Sequence, residues 1–167
     1  MEYGLSLGSN LGDRLRHLRF AKTRIVRFCG ASIVGQSAVY ETEPVGVTPA
    51  QAGFRFLNAV LVIDGDPDPA ELAVQLHAIE WEAGRVRTAD RCAPRPLDID
   101  MIYAGDLSLC TEALTLPHPR WAERRFVVQP LADVRPNLRL PGETRLVREV
   151  LAALPLEPGV VLYAPAW

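Results

Sequence analysis

The fold turns on "RVRTADRCAPRPLDIDMIYAG", residues 85–105. From Leu97 to Ala104 the run is apolar apart from two acids and long enough for one strand, in which successive side chains point to opposite faces. Leu97, Ile99 and Met101 then face a core, while Asp98 and Asp100 face the other way. Two like charges about 6.6 Å apart on one face repel, and Asp is disfavoured in strands. Upstream stand Arg85, Arg87, Arg91 and Arg95, in a segment of poor periodicity that closes on Pro94 and Pro96. Either the two sets of charge neutralise each other or a third species sits between them. A metal ion for the acids, carrying phosphate oxygens for the arginine forks, would be such a species.

Outward from this stretch, residues 2–8 predict a strand. After "GSNLGD" the spacing of Leu15, Leu18, Ala21, Ile25 and Phe28 predicts a helix of about 16 residues, with Gly30 to end it. Residues 31–41 read as one strand, leading into the long loop "TEPVGVTPAQAG", and "FRFLNAVLVID" reads as another. "DPDPAEL" offers Asp caps and a Pro at the start of a helix over 69–83, with Leu72, Leu76, Ile79 and Ala83 on one stripe and Gly84 as its stop. Beyond Ala104, "GDLSL" signals a hairpin, and residues 120–134 and 144–154 are helical, with Pro130 expected to kink or interrupt the first. "GVVLYA" is a last strand. This irregular mixture favours an α+β sandwich over a doubly wound parallel sheet.

With 167 residues, 49% apolar and 23% charged, the chain suits one folded domain and not disorder. A net charge of -2 supplies no global field for nucleic acid or an anionic membrane, so phosphate recognition must be local. Lys22 is the only lysine among 18 Lys and Arg residues, so arginine by itself is weaker evidence for phosphate here than in a mixed chain. Cys29, Cys92 and Cys110 have no CxxC spacing, and His17, His77 and His118 are scattered. The first residues lack a basic and then apolar leader, and no apolar run approaches the ~18 residues of a membrane span. A reduced, cytoplasmic protein is expected. For a bare D-x-D, a solvated strand face is the ordinary reading; the arginines beside it favour a nucleotide-phosphate site built without a P-loop.

"RCAPRPLDIDMI" resembles the signature of the 6-hydroxymethyl-7,8-dihydropterin pyrophosphokinase family. In the same order as in that family come "LSLGSNLGDR", "YETEPVG", "FLNAV", "EWEAGRVR" and "LTLPHPRWAERRFVVQPL", so the likeness runs from residue 3 to residue 142. The resemblance implies a single-domain, ferredoxin-like α/β/α sandwich with a mostly antiparallel central sheet. It also implies transfer of diphosphate from ATP to the pterin alcohol, with release of AMP. Asp98 and Asp100 match the ligands of two Mg²⁺ ions; Arg85 and Arg95 match the arginines that hold and polarise the phosphates, and Arg87 one that closes over the site. His118 and Arg124 match further phosphate contacts, while Met101 and Thr115 fall where the adenosine lodges. Phe56 and Phe126 match the two aromatics that sandwich the pterin, Asn58 the amide that reads its edge, and Thr42, Pro44 and Val45 the rest of that pocket.

The chain departs from the family's pattern at four of these surroundings. His77, in the ATP-binding set, stands where Gln is usual, Cys92 replaces an aromatic, Ala113 a basic residue, and Pro119 an aromatic beside the matched His. Asn10 and the "GSN" glycine are expected to shape a turn at the pocket floor. The partners implied are ATP and a reduced hydroxymethylpterin, with no nucleic acid and no membrane, and the chain is expected to be a monomer or at most a weak dimer. Two other classes share some of these features: a Mg²⁺-dependent nucleotidyl transferase or nuclease, and a single-strand nucleic-acid module. The low net charge and the acidic pair on the binding face weigh against the last.

Overall fold

The computed structural model of the chain describes residues 1–44, 51–86 and 93–167, with only the backbone of Cys29. Its elements run β1 (Glu2–Ser9), α1 (Arg14–Cys29), β2 (Ser32–Gln36), β3 (Val39–Thr42), β4 (Phe56–Asp64), α2 (Pro69–Glu82) and β5 (Asp98–Ala104). There follow β6 (Leu109–Cys110), β7 (Thr115–Leu116), a 3₁₀ turn (Trp121–Glu123), α3 (Arg125–Val134), α4 (Val147–Ala153) and β8 (Val160–Ala164). The main sheet has the order β5-β1-β4-β3-β8, with β2 also paired to β4, and its ladders are antiparallel. With β2 and β3 taken together as one interrupted strand along β4, its first part runs βαββαβ, the ferredoxin-like arrangement. Helices α1 and α2 cover one face; α3 and α4 cover the other.

Local chemistry explains the elements. Asp13 caps α1 by accepting from the Arg16 N–H at 3.1 Å, and Gly30 ends it in the left-handed region at φ 57°. Asp68 accepts from the N–H groups of Ala70 and Glu71, and Pro69 opens α2. Leu5, Leu7, Leu18, Ile25, Leu61, Leu72 and Ile79 make the first apolar layer, with Ile99 and Met101 from β5. Val60, Val62, Val127, Val128, Leu131 and Val147 make the second. Each such side chain contributes roughly 1.5–3 kcal/mol by leaving water.

Four expectations are corrected. Residues 31–41 are two strands, because Ser37 replaces a regular ladder step: its N–H donates to Val60 O and its Oγ accepts from Val60 N–H. Phe28 lies 51% exposed beneath the Arg24 guanidinium and is not core. The hairpin after β5 is made by β6 with β7, Leu109 facing Leu116, and β5 itself ends in a turn at Gly105. Pro130 does not interrupt its helix. The break lies earlier, at Arg124, between the 3₁₀ turn and α3, and Pro130 is buried within the helix.

Strand β5 also carries a bulge. Leu5 faces Met101 but Gly4 faces Tyr103, so the register shifts around Ile102. Ile102 and Tyr103 thereby both join the second apolar layer, above the face that bears Asp98 and Asp100. The Tyr103 ring covers Gly4 so closely that a β-carbon there would stand 2.1 Å from a ring carbon. The ring cannot swing away freely, since its hydroxyl donates to Glu2 at 2.7 Å and Arg135 grips the same carboxylate. Gly4→Ala should therefore cost about 1–3 kcal/mol in urea unfolding; an unchanged midpoint would mean that the ring gives way.

Candidate active site

Four strands put their open faces together. Across the sheet, Asp98 faces Gly8, Gly8 faces Asn58 and Asn58 faces Tyr40; one step along, Asp100 faces Ser6. Gly8 is the floor of this row: a β-carbon there would lie 3.4 Å from Asn58 Oδ1, 3.7 Å from the Phe56 ring and 3.8 Å from the Asp98 β-carbon. Its lack of a side chain keeps a flat space open between the acids and the amide. The Asn58 amide is oriented from behind, its Nδ2 donating to the buried Thr42 hydroxyl at 2.8 Å, which leaves Oδ1 on the Gly8 side. Phe56 and Phe126 are half-buried, with the Arg95 and Arg124 guanidinium groups 5.9 and 5.8 Å from their ring centres. Pro44 is half-buried at the end of β3, whereas Val45 and Arg87 lie outside the described residues, as does Cys92.

The opposed charges of residues 85–105 meet each other. Arg85 pairs with Asp98, Arg95 NH1 lies 3.5 Å from the other Asp98 oxygen, and Arg124 NH1 lies 3.7 Å from Asp100. A third carboxylate, Glu80 on α2, is only 2% exposed; it accepts from the Arg85 guanidinium and from the Ile99 N–H at 2.8 Å. Burial works against the charge of Arg85, but Asp98 and Glu80 more than offset it, and its pKa is raised. Nothing in the local pattern around residue 80 announces this role; the signal available was an acid on the otherwise apolar stripe of Leu72, Leu76 and Ile79. Asn10, buried in the first turn, accepts from the Arg95 N–H at 2.7 Å and donates to Phe54 O, so it ties the start of β5 to the segment before β4.

A cavity of about 200 Å³ opens at the free edge of β5. Its walls include His77, Asp100, Met101, Thr115 and His118, together with Ala113 and Pro119. Residues from α2, β5, β7 and the turn after it are thus brought to one space. His77 also borders a second hollow with Glu80, Trp81, Arg85 and Val86. Asp100 is 45% exposed to the cleft, yet protein surrounds it on its other sides. That burial, and next the charge of Asp98, raise its pKa, against the pull of His118, Arg124 and Arg85. His118 is lowered, first by burial, with Asp100 opposing. Its Nδ1 accepts from the Arg120 N–H at 3.1 Å, so the neutral ring carries its proton on Nε2.

Residues 4–136 match the family described as 7,8-dihydro-6-hydroxymethylpterin-pyrophosphokinase. A Pseudomonas aeruginosa protein named 2-amino-4-hydroxy-6-hydroxymethyldihydropteridine pyrophosphokinase is 39% identical over 153 residues, 92% of this chain and 91% of its own. The chain belongs to this pyrophosphokinase family. A Methylorubrum extorquens pyrophosphokinase of the same name is 41% identical over 150 residues, 90% of this chain and 91% of that protein. The "Folate synthesis bifunctional protein" of Arabidopsis thaliana is 40% identical over 133 residues, and there this pyrophosphokinase chain spans only 27% of the relative's length. A crystal structure titled HPPK-DHPS in complex with substrates shares the fold at a TM-score of 0.70 and 14% identity, covering 91% of this chain and 44% of that one. The α/β/α architecture expected from the sequence is borne out.

Two outcomes are expected from the charges of this site. The raised pKa of Asp100 means that the folded chain holds the proton more tightly than the unfolded one. The group thus adds stability below the ordinary carboxylate pKa and loses it as pH rises through its own higher value. Asp100→Asn should melt above the parent at neutral pH without ligand, and the gap should close towards about pH 4; a gap independent of pH would refute the repulsion. Glu80→Ala leaves the buried side of Arg85 and the Ile99 N–H unpaired, and should cost about 3–5 kcal/mol in chemical denaturation. A loss under about 1 kcal/mol, the scale of an exposed ion pair, would demote it.

Proposed function

We propose that this enzyme transfers diphosphate from ATP to the hydroxymethyl group of 6-hydroxymethyl-7,8-dihydropterin, giving AMP and the pterin diphosphate in folate synthesis. One observation carries the reading: His77, Met101, Thr115 and His118, matched to the ATP side, line the β5-edge cavity together with Asp100, while Phe56 and Asn58, matched to the pterin side, flank Gly8 beside Asp98. The pterin hydroxyl oxygen bonds to the β-phosphorus, the bond from that phosphorus to the oxygen bridging the α-phosphate breaks, and AMP leaves with the electron pair. The hydroxyl proton is lost to water. Such a transfer needs in-line positioning and charge neutralisation more than covalent help from the protein.

Among the described residues no group of three or more His, Cys, Asp or Glu could hold a metal unaided. Two carboxylates suit Mg²⁺, which keeps waters and takes substrate phosphate oxygens among its six ligands. Asp98 and Asp100 would hold the two ions, and the metal would neutralise phosphate charge and relieve the repulsion that raises Asp100. Arg85 and Arg95, already directed at Asp98, turn their remaining donors to phosphate oxygens. Arg124 and the His118 Nε2–H act from the Asp100 side, and Arg87 from the segment after Val86. His77, Met101 and Thr115 hold the nucleoside. Phe56 and Phe126 stack the pterin, and Asn58 Oδ1 accepts from its amide edge; Thr42 serves through Asn58, while Pro44 and Val45 border the ring.

The test is incubation with ATP, Mg²⁺ and the reduced hydroxymethylpterin, followed by mass analysis. AMP with a pterin diphosphate supports the proposal, whereas pyrophosphate or nucleotide fragments would move the chain to the nucleotidyl transferases. Asp98→Ala and Asp100→Ala should each lower kcat by about 10²–10³-fold, as loss of a key electrostatic group does. Turnover near that of the parent at saturating Mg²⁺ would remove both from the site.

A further inference from the structure

The two ends of the sheet are finished differently. At the β5 end, main-chain groups on the outer side have partners: Glu80 takes the Ile99 N–H, and the His118 N–H donates to Ile102 O at 2.8 Å. At the other end lies β8, and among the described residues no hydrogen bond outside its ladder with β3 reaches Val160–Ala164. Sheet edges of this kind are usually blunted by charge, by proline within the strand or by a covering element. Here the strand reads Val-Val-Leu-Tyr-Ala, and the prolines, Pro158 and Pro165, stand outside it. Val161, Leu162 and Tyr163 are 65%, 57% and 49% exposed.

This edge is also held in shape. The Trp167 indole is buried, and its Nε1–H donates to Ser37 O at 2.9 Å, while Gln36 and Lys22 donate to its backbone oxygen. Chain beyond the strand is therefore anchored to Gln36 and Ser37, just before β3, and to Lys22 of α1, and β8 is pre-ordered for pairing.

We infer that the β8 edge is a self-association surface, on which a second copy of this chain docks by antiparallel pairing of β8 with β8. The sequence of the strand suits its own reversal. Paired about its centre, Leu162 faces Leu162, Val161 faces Tyr163 and Val160 faces Ala164, so a β-branched residue meets an aromatic twice and no like charges meet. Arg14, whose guanidinium lies over the Tyr163 ring, is already paired with Glu41 at 2.8 Å. A net charge of -2 sets little repulsion between copies. Five residues of strand bury less than the roughly 1,200 Å² of a stable interface, so the dimer is weak and reversible. The cavity at the β5 edge lies at the opposite end of the sheet and stays open in it.

Sedimentation equilibrium across a wide concentration range tests this. The mass of the parent should rise from 18.4 kDa towards twice that value, and amide protection at 160–164 should rise with it. Leu162→Lys should stay at the monomer mass with unchanged pyrophosphokinase turnover and circular dichroism. Because residue 162 faces itself, mixing Leu162→Lys with Leu162→Asp should restore association that neither variant shows alone. Val161→Lys, read in the same way, covers the case of a misfolded first variant. A parent that remains at 18.4 kDa throughout, or a Lys variant that associates as the parent does, overturns the inference.

Discussion

Glu80 is the charge on which the site rests. Buried carboxylates are tolerated only when their lone pairs are filled, and this one is filled from two directions, by the Ile99 N–H and by Arg85. The first bond closes the free edge of β5. The second carries Arg85 across to Asp98, so that the arginine is neutralised and aimed before any ligand arrives. Strand, helix and charged cluster are thereby one mechanical unit: moving α2 would move both the edge of the sheet and the guanidinium above it.

The acids are held by a different constraint, the pleat of β5 and its single bulge. Ile99 and Met101 are anchored in the layer under α1 and α2, which obliges Asp98 and Asp100 to share the opposite face. At Ile102 the register shifts, and Ile102 and Tyr103 both turn to the α3 and α4 layer. The polar part of the face thus ends abruptly at Asp100, and dry packing begins two residues later, at Ile102. Repulsion between the two acids is left in place, as the raised pKa of Asp100 records, and a ligand bringing positive charge relieves it.

Much of this was legible in one dimension. Alternation in Leu97–Met101, the Asp13 and Asp68 caps and the glycine stops are local rules, and the elements they predict occur within a few residues of their expected bounds. The expectations that failed did so where a side-chain partner or burial intervened. Ser37 breaks a strand because Val60 bonds to its side chain, Phe28 is drawn out of the core to lie under the Arg24 guanidinium, and Pro130 sits buried within α3 without ending it.

For the site, the sequence by itself determined which residues carry charge and that two acids share one face, since a period of two is a property of the strand alone. It could name Gly8 only as part of a turn motif and Glu80 only as an acid on an apolar stripe. Tertiary structure decided that Gly8 lies between Asp98 and Asn58, that Thr42 orients the Asn58 amide, and that Glu80 rather than solvent receives Arg85. Those facts depend on cross-strand register and on which charges are withdrawn from water together. Both are set by contacts between residues far apart in the chain, and no local periodicity encodes them.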